Sequence, residues 1–168
     1  DDGWAGGDAP ATAAPATGAA ALRRSTRLVG NTGAAPGGEA GVTAAREAGV
    51  GTMITVGCDA ATTAAAIEIA ARFDGVRATA GLHPHEAKHG VDTIVASLDD
   101  PNVIAVGEAG LDYFYEHSPR KAQRQAFAAQ IQLAHERRLP LIVHTRDAWP
   151  DTFDLLAAEG VPERTIFH

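Results

Sequence analysis

Short apolar runs rich in β-branched residues alternate with longer segments of helical character from residue 39 to the end of the chain. Runs of this length are too short for helices and are typical of buried strands. The predicted strands are residues 53–56, 77–80, 103–106, 141–143 and 165–168. Because strands that alternate with helices at this spacing form βαβ units, we expect an α/β fold with a parallel sheet.

The helices between these strands have recognisable ends. Asp59 is placed to cap a helix that runs to Arg72, and Ser118 is placed as the N-cap of a long helix with Pro119 in its first turn. Leu139-Pro140 ends that helix. Further helices are predicted over residues 39–48, 92–98 and 147–159.

Composition limits the classes of protein to which the chain can belong. Its 168 residues could form one domain, and its net charge of −7 argues against a nucleic-acid binder with a broad basic face. The single cysteine, Cys58, excludes an internal disulfide and suits a reducing compartment, so we expect a cytoplasmic protein. No stretch is long and apolar enough to span a membrane, and we expect no membrane partner.

The chain divides into two parts by composition. Residues 1–37 are dominated by Ala, Gly, Thr and Pro and show no sustained period, apart from a hint of a strand at Leu28-Val29. Such a segment buries too little apolar surface to offset its ordering entropy, so we expect a disordered or loose tail. Residues 38–168 form the predicted domain.

The stretch from Val103 to Asp112 is a short apolar run that delivers one carboxylate, Glu108, and then breaks on glycine. Gly107 and Gly110 bracket Glu108, which predicts a sharp backbone turn with the carboxylate facing a cavity. A buried carboxylate needs a partner. An arginine, a helix N-terminus or a metal ion would each provide one.

Three predicted strands end on residues of a type that binds metals: Glu108, His144 and His168. Each residue alone has a structural explanation. Since the carboxyl ends of parallel strands lie at one edge of a sheet or barrel, the three side chains are expected to converge on a shared site.

Several motifs stand in order over about residues 40–168: residues 81–85, residues 106–113, Gln123 with Phe127 and Gln130, residues 139–148, and Phe167-His168. Together they resemble TatD-type metal-dependent deoxyribonucleases. The resemblance implies a TIM barrel with two divalent metal ions, held by paired first-strand histidines, a bridging glutamate, two later histidines and a late aspartate. It implies that Glu108 is the bridging carboxylate, and that His144 and His168 are the later histidines.

The chain also departs from that family. The first-strand His-x-His motif should lie near residues 28–32, but no histidine precedes His83, and the late aspartate would follow His168. A complete barrel needs about 250 residues. We therefore expect a partial TIM barrel with about five of eight strands. No obligate protein partner is inferred, but self-association of the open barrel is expected.

Four further residues are weaker candidates. The resemblance places His83 and His85 beside the substrate, although a structural role suits them equally. Asp112 could orient a ligand or a catalytic water, or stabilise a turn. Arg146 could contact a phosphate, or pair with Asp147 or the next helix.

The predicted function is metal-dependent hydrolysis of phosphodiester bonds in DNA, with Glu108 and Asp112 as the candidate catalytic residues. Imidazole and carboxylate ligands suit zinc, manganese or, less well, magnesium, and such an ion would also offset phosphate charge. Two alternatives are hydrolysis of a carbonyl ester or amide, and an inactive, truncated barrel piece.

Overall fold

The structure is a computed structural model that describes residues 26–29 and 37–168. Its six strands form one parallel sheet in sequence order. The strands are β1 (Thr26–Val29), β2 (Thr52–Thr55), β3 (Val76–Ala80), β4 (Val103–Asp112), β5 (Leu141–Arg146) and β6 (Thr165–Phe167). Strand β1 adds a sixth strand to the five predicted. It lies within the predicted tail, at the place where Leu28-Val29 hinted at a strand. Residues 1–25 and 30–36 of that tail lie outside the described residues.

Helical segments connect the strands along the chain. They are α1 (Gly37–Glu47), α2 (Ala60–Arg72), α3 (Asp92–Val95), α4 (Arg120–Arg137) and α5 (Trp149–Glu159), with 3₁₀ turns at Pro84–His89 and Ala96–Asp99. Asp59 caps α2 as predicted, since its carboxylate accepts a hydrogen bond from Thr62 N–H. Successive parallel strands with helical crossovers confirm an α/β fold of partial TIM-barrel type.

The core lies between the sheet and its helices, chiefly α4. Phe127 and Ile131 on α4 are fully buried, as are Val106 and Leu111 of β4 and Leu141 of β5. This packing fixes the strand ends that carry the polar side chains described below. Within residues 26–29 and 37–168, no helix combines the length and apolar character needed to cross a membrane.

Strand β4 is longer than the sequence pattern predicted. It continues through Glu108 to Asp112, with one register shift between Val106 and Ala109. The glycines do not end the strand. A Cβ at Gly107 would lie 2.6 Å from Ile142 O, and one at Gly110 would lie 1.9 Å from His144 O. Glycine therefore allows β5 to approach β4 closely, and this close approach keeps the strand paired.

The predicted N-cap role of Ser118 is wrong. Helix α4 begins at Arg120, and Pro119, which precedes it, makes no side-chain capping bond. The Ser118 hydroxyl instead donates to His85 O at 2.7 Å and accepts from Lys88 N–H at 3.2 Å. Tertiary hydrogen bonds to the segment that carries His85 compete successfully with the local cap.

Candidate metal centre

Three ligand-type side chains meet at the carboxyl end of the sheet: Glu108 of β4, His144 of β5 and His83, which follows β3. One potential ligand atom from each lies within 4.8 Å of the others. His168, just past β6, contacts Glu108 through its Nε2 atom. The structure thus brings together the three residues that the strand ends predicted, and adds His83.

Glu108 lies at the centre of this cluster, with only 14% of its side chain exposed. Its Oε1 atom lies 3.2 Å from His144 Nδ1. Burial opposes ionisation, but the hydrogen bond from His144 and the neighbouring His168 and His83 outweigh it and lower the pKa of Glu108 to about 2. The side chain is therefore anionic at neutral pH.

His144 presents one buried nitrogen without a hydrogen-bond partner. Its Nε2 atom lies 3.4 Å from Asp112 Oδ2 but forms no hydrogen bond. Burial opposes protonation of the ring, yet the hydrogen bond and charge of Glu108 raise its pKa. An unpaired buried nitrogen beside two carboxylates is an environment that a cation would complete.

His83 differs from His144 in its hydrogen bonding. Its Nδ1 atom accepts the backbone N–H of His85 at 3.1 Å. Burial is the main cause that lowers the pKa of His83 to about 4, so the ring is neutral at pH 7. A neutral imidazole with Nδ1 as acceptor carries its proton on Nε2. His83 is therefore arranged to donate a hydrogen bond, which suits the substrate-side role that the resemblance implied better than metal ligation.

Asp112 is almost fully buried and hydrogen-bonded at both oxygens. Its Oδ2 atom lies 2.9 Å from His85 Nε2, while Oδ1 accepts the N–H groups of Phe114 and Tyr115 at 3.0 and 2.9 Å. Burial opposes ionisation, but the N–H of Tyr115 and the ring of His85 lower the pKa of Asp112 to about 2. The bonds to Phe114 and Tyr115 N–H show that Asp112 stabilises the turn after β4, as one predicted alternative held, and the contact with His85 leaves its role in orienting a ligand or a catalytic water a prediction.

Two buried glutamines on α4 fix the segments that carry these residues. Gln130 accepts from Leu82 N–H and donates to Leu82 O, at 2.8 and 3.0 Å. Gln123 makes the same pair of bonds with Asp112, at 2.8 and 3.0 Å. Each side-chain amide thus pairs with a main-chain segment as a neighbouring strand would.

Arg146 stacks on aromatic rings. Its guanidinium carbon lies 4.1 Å from the centre of the Phe114 ring and 4.6 Å from that of Tyr115. Within the described part of the chain, no carboxylate pairs with it, so the alternative of an ion pair with Asp147 is wrong. The side chain is held at the rim of the site.

Sequence reasoning placed Cys58 at the end of a strand but did not predict that it lies beside Glu108. Its Sγ atom lies 3.9 Å from Glu108 Oε2. Burial, followed by the charges of Glu108 and Asp59, raises the pKa of the thiol to about 12, so it stays protonated. The available signal was its place just past β2, at the same edge as the other strand-end residues.

The side chains present suit a divalent cation. Glu108 supplies negative charge and His144 an unpartnered buried nitrogen, while His168 adjoins the same carboxylate. Mixed imidazole and carboxylate donors are typical of zinc and manganese sites. The fit rests on the donor set and leaves the identity and number of ions open.

With this geometry established, comparison with known proteins identifies the family. Residues 31–168 match the family described as TatD related DNase. The chain therefore belongs to that family, as its motifs predicted.

Individual relatives agree. The uncharacterized metal-dependent hydrolase YabD of Bacillus subtilis is 37% identical over 112 residues, which is 64% of this chain and 44% of that protein. The 3'-5' ssDNA/RNA exonuclease TatD of a Rahnella strain is 40% identical over 109 residues, which is 62% of this chain and 41% of that protein. The chain thus spans less than half the length of these relatives.

A solved structure gives the same result. The crystal structure of YJJV, a TatD homolog from Escherichia coli K12, superposes with a TM-score of 0.69 at 29% identity and covers 77% of this chain and 52% of that one. A TatD-family hydrolase from Entamoeba histolytica shares the fold, with a TM-score of 0.61 at 24% identity.

Proposed function

We propose that this chain carries part of a divalent-metal-dependent phosphodiesterase site that acts on single-stranded nucleic acid, DNA first. The observation that carries the proposal is the meeting of His144 and His168 on Glu108, with His83 beside them, at the carboxyl end of a parallel sheet in a TatD-family chain. The exonuclease relatives, named for action on ssDNA and RNA, support the choice of substrate.

Glu108, His144 and His168 would hold the cation, which we propose to be manganese, zinc or magnesium, with two ions in a full-length family member. A bound cation of this kind neutralises phosphate charge and lowers the pKa of water. His83 Nε2 would donate a hydrogen bond to a phosphate oxygen, and Arg146 would add a positive charge at the edge of the site. Asp112 would hold the His85 ring in place through the contact between Oδ2 and His85 Nε2.

The test is hydrolysis of a fluorescent single-stranded oligonucleotide by the purified chain with added manganese, zinc or magnesium. We expect slow cleavage that requires the metal, stops with chelator and is lost in Glu108→Gln. Small carbonyl esters and amides form the second arm of the assay, because their hydrolysis is the alternative activity predicted from the sequence. Cleavage of esters alone, or nuclease activity that survives Glu108→Gln, would contradict the proposal.

We propose a cytoplasmic location on the basis of the single, free Cys58. Fractionation of cells that express the tagged protein tests it. Recovery from an oxidising compartment would contradict it.

A further inference from the structure

Two aromatic side chains lie exposed beside the candidate metal centre. Phe114 and Tyr115 follow the end of β4 and keep 56% and 50% of their surface accessible. Their ring centres are 4.8 Å apart with the planes nearly perpendicular. Contiguous exposed apolar surface is a mark of interaction sites.

These rings are fixed in position. Asp112 Oδ1 accepts both of their backbone N–H groups, which ties the turn to a buried carboxylate. The ring of Tyr115 also packs edge-on against His85, with ring centres 5.7 Å apart. His85 in turn lies 4.4 Å from His83, measured between ring centres. Tyr115 is therefore connected to His83 of the site through two successive ring contacts.

Arg146 gives this surface its charge. Its guanidinium lies over both rings, whereas Arg72, Arg120 and Arg124 each pair with a carboxylate. Among the described residues, Arg146 has no such partner. A positively charged plane held against aromatic rings suits a ligand that combines a flat base with a phosphate.

We propose that Phe114, Tyr115 and Arg146 form a base-stacking platform that binds an unpaired nucleobase next to the phosphate at the metal centre. This inference rests on the proposed function and deepens it. Bases stack on aromatic side chains and on arginine planes without regard to sequence, but only when they are not already stacked in a duplex. The platform would therefore select single-stranded nucleic acid of any sequence.

The experiment measures binding in the presence of chelator, so that no cleavage occurs. Fluorescein-labelled oligothymidylate of ten residues is titrated with the purified chain and followed by anisotropy, beside an abasic strand with the same number of phosphates. The variant is the double substitution Phe114→Leu and Tyr115→Leu. Phe153→Leu is the matched control, because Phe153 is 53% exposed and lies on α5.

We expect the double variant to bind oligothymidylate about tenfold or more weakly, in line with the loss of base stacking. Binding of the abasic strand should be unchanged, and Phe153→Leu should bind both strands as the parent chain does. Equal binding of the two strands by the parent chain, or an equal loss for both in the variant, would overturn the platform. Metal-dependent cleavage of the oligonucleotide would still support the proposed function in that case. Failure to bind or cleave either strand would instead remove the proposed function.

Discussion

The paired strands β4 and β5 and the outer strand β6 differ in how completely they are packed. Along β4 and β5, buried residues and two glycine contacts with the β5 backbone hold the strands close, and Glu108 and His144 face each other across them. Strand β6 has three residues, and Ile166 and Phe167 are largely exposed. The site therefore rests on two closely packed strands and, among the described residues, reaches the last strand of the sheet at His168.

That open edge carries its own aromatic cluster. Trp149 and Phe153 of α5 lie 5.7 Å apart between ring centres, and Phe167 of β6 lies within 6.0 Å of both. Within the described residues, β6 pairs only with β5, so its other edge has unpaired backbone groups. The two groups of exposed rings therefore differ in their surroundings. Phe114 and Tyr115 lie against the Arg146 guanidinium, whereas Trp149, Phe153 and Phe167 lie beside an edge of β6 that has no partner strand among the described residues.

The largest expected effect is on stability, from Gly110→Ala. An alanine there would combine a backbone φ of +146° with a Cβ 1.9 Å from His144 O, so we expect a loss of about 3 to 5 kcal/mol in the free energy of unfolding. Urea denaturation followed by circular dichroism measures it. Gly90→Ala is the control, because φ there is +82° but no atom crowds the new Cβ. Equal effects would show that β5 does not pack as tightly against β4 as the structure indicates.

The second prediction concerns metal binding. Glu108→Ala should abolish binding of manganese or zinc, because no other described carboxylate pairs with both His144 and His168. Isothermal titration calorimetry measures the loss. His89→Ala should bind metal as the parent chain does, since His89 lies in an exposed turn and pairs with Glu86. If both variants lose binding equally, Glu108 is not the centre of the site.

The third prediction concerns the pH dependence of stability that arises from His83, the buried histidine beside Glu108. The pKa of His83 falls from 6.5 to about 4 on folding, so the unfolded chain binds more protons between these values. His83 therefore contributes stability above pH 6.5 that is lost as the pH falls toward 4. The raised pKa of His144 acts in the opposite direction and partly offsets this loss.

The measurement is the urea midpoint at pH 7 and pH 5 in the presence of chelator. His83→Gln should show a smaller drop than the parent chain, while His89→Gln should show the same drop. An unchanged drop in His83→Gln would mean that His83 is not buried in its neutral form.

The smallest expected effect is on the open edge. The double substitution Phe153→Ser and Phe167→Ser should change the free energy of unfolding by less than about 1 kcal/mol, because both rings are already exposed. It should nevertheless reduce self-association of the chain in size-exclusion chromatography with light scattering. The Phe114→Ser variant is the control for general loss of an exposed ring. A parent chain that is already monomeric would contradict the association prediction.

The sequence predicted the features that depend on local pattern. Five strands and the convergence of Glu108, His144 and His168 follow from apolar runs that end on ligand-type residues. Features that depend on distant contacts were missed: β4 continues past its glycines because β5 lies against it, and Ser118 bonds to His85 in place of capping α4. The position of Arg146 over two rings required the packed structure for the same reason.

Helix α4 fixes the spacing between two main-chain segments of the site. Gln123 and Gln130 lie seven residues apart, which is close to two full turns, so they project from one face at a spacing of about 10.5 Å. Because an α-helix does not stretch, this spacing sets the distance between the main chain at Leu82 and that at Asp112. Substitutions on the solvent side of α4 leave the distance unchanged. A single inserted or deleted residue between the two glutamines would rotate one amide by about 100° and detach one half of the site from the other.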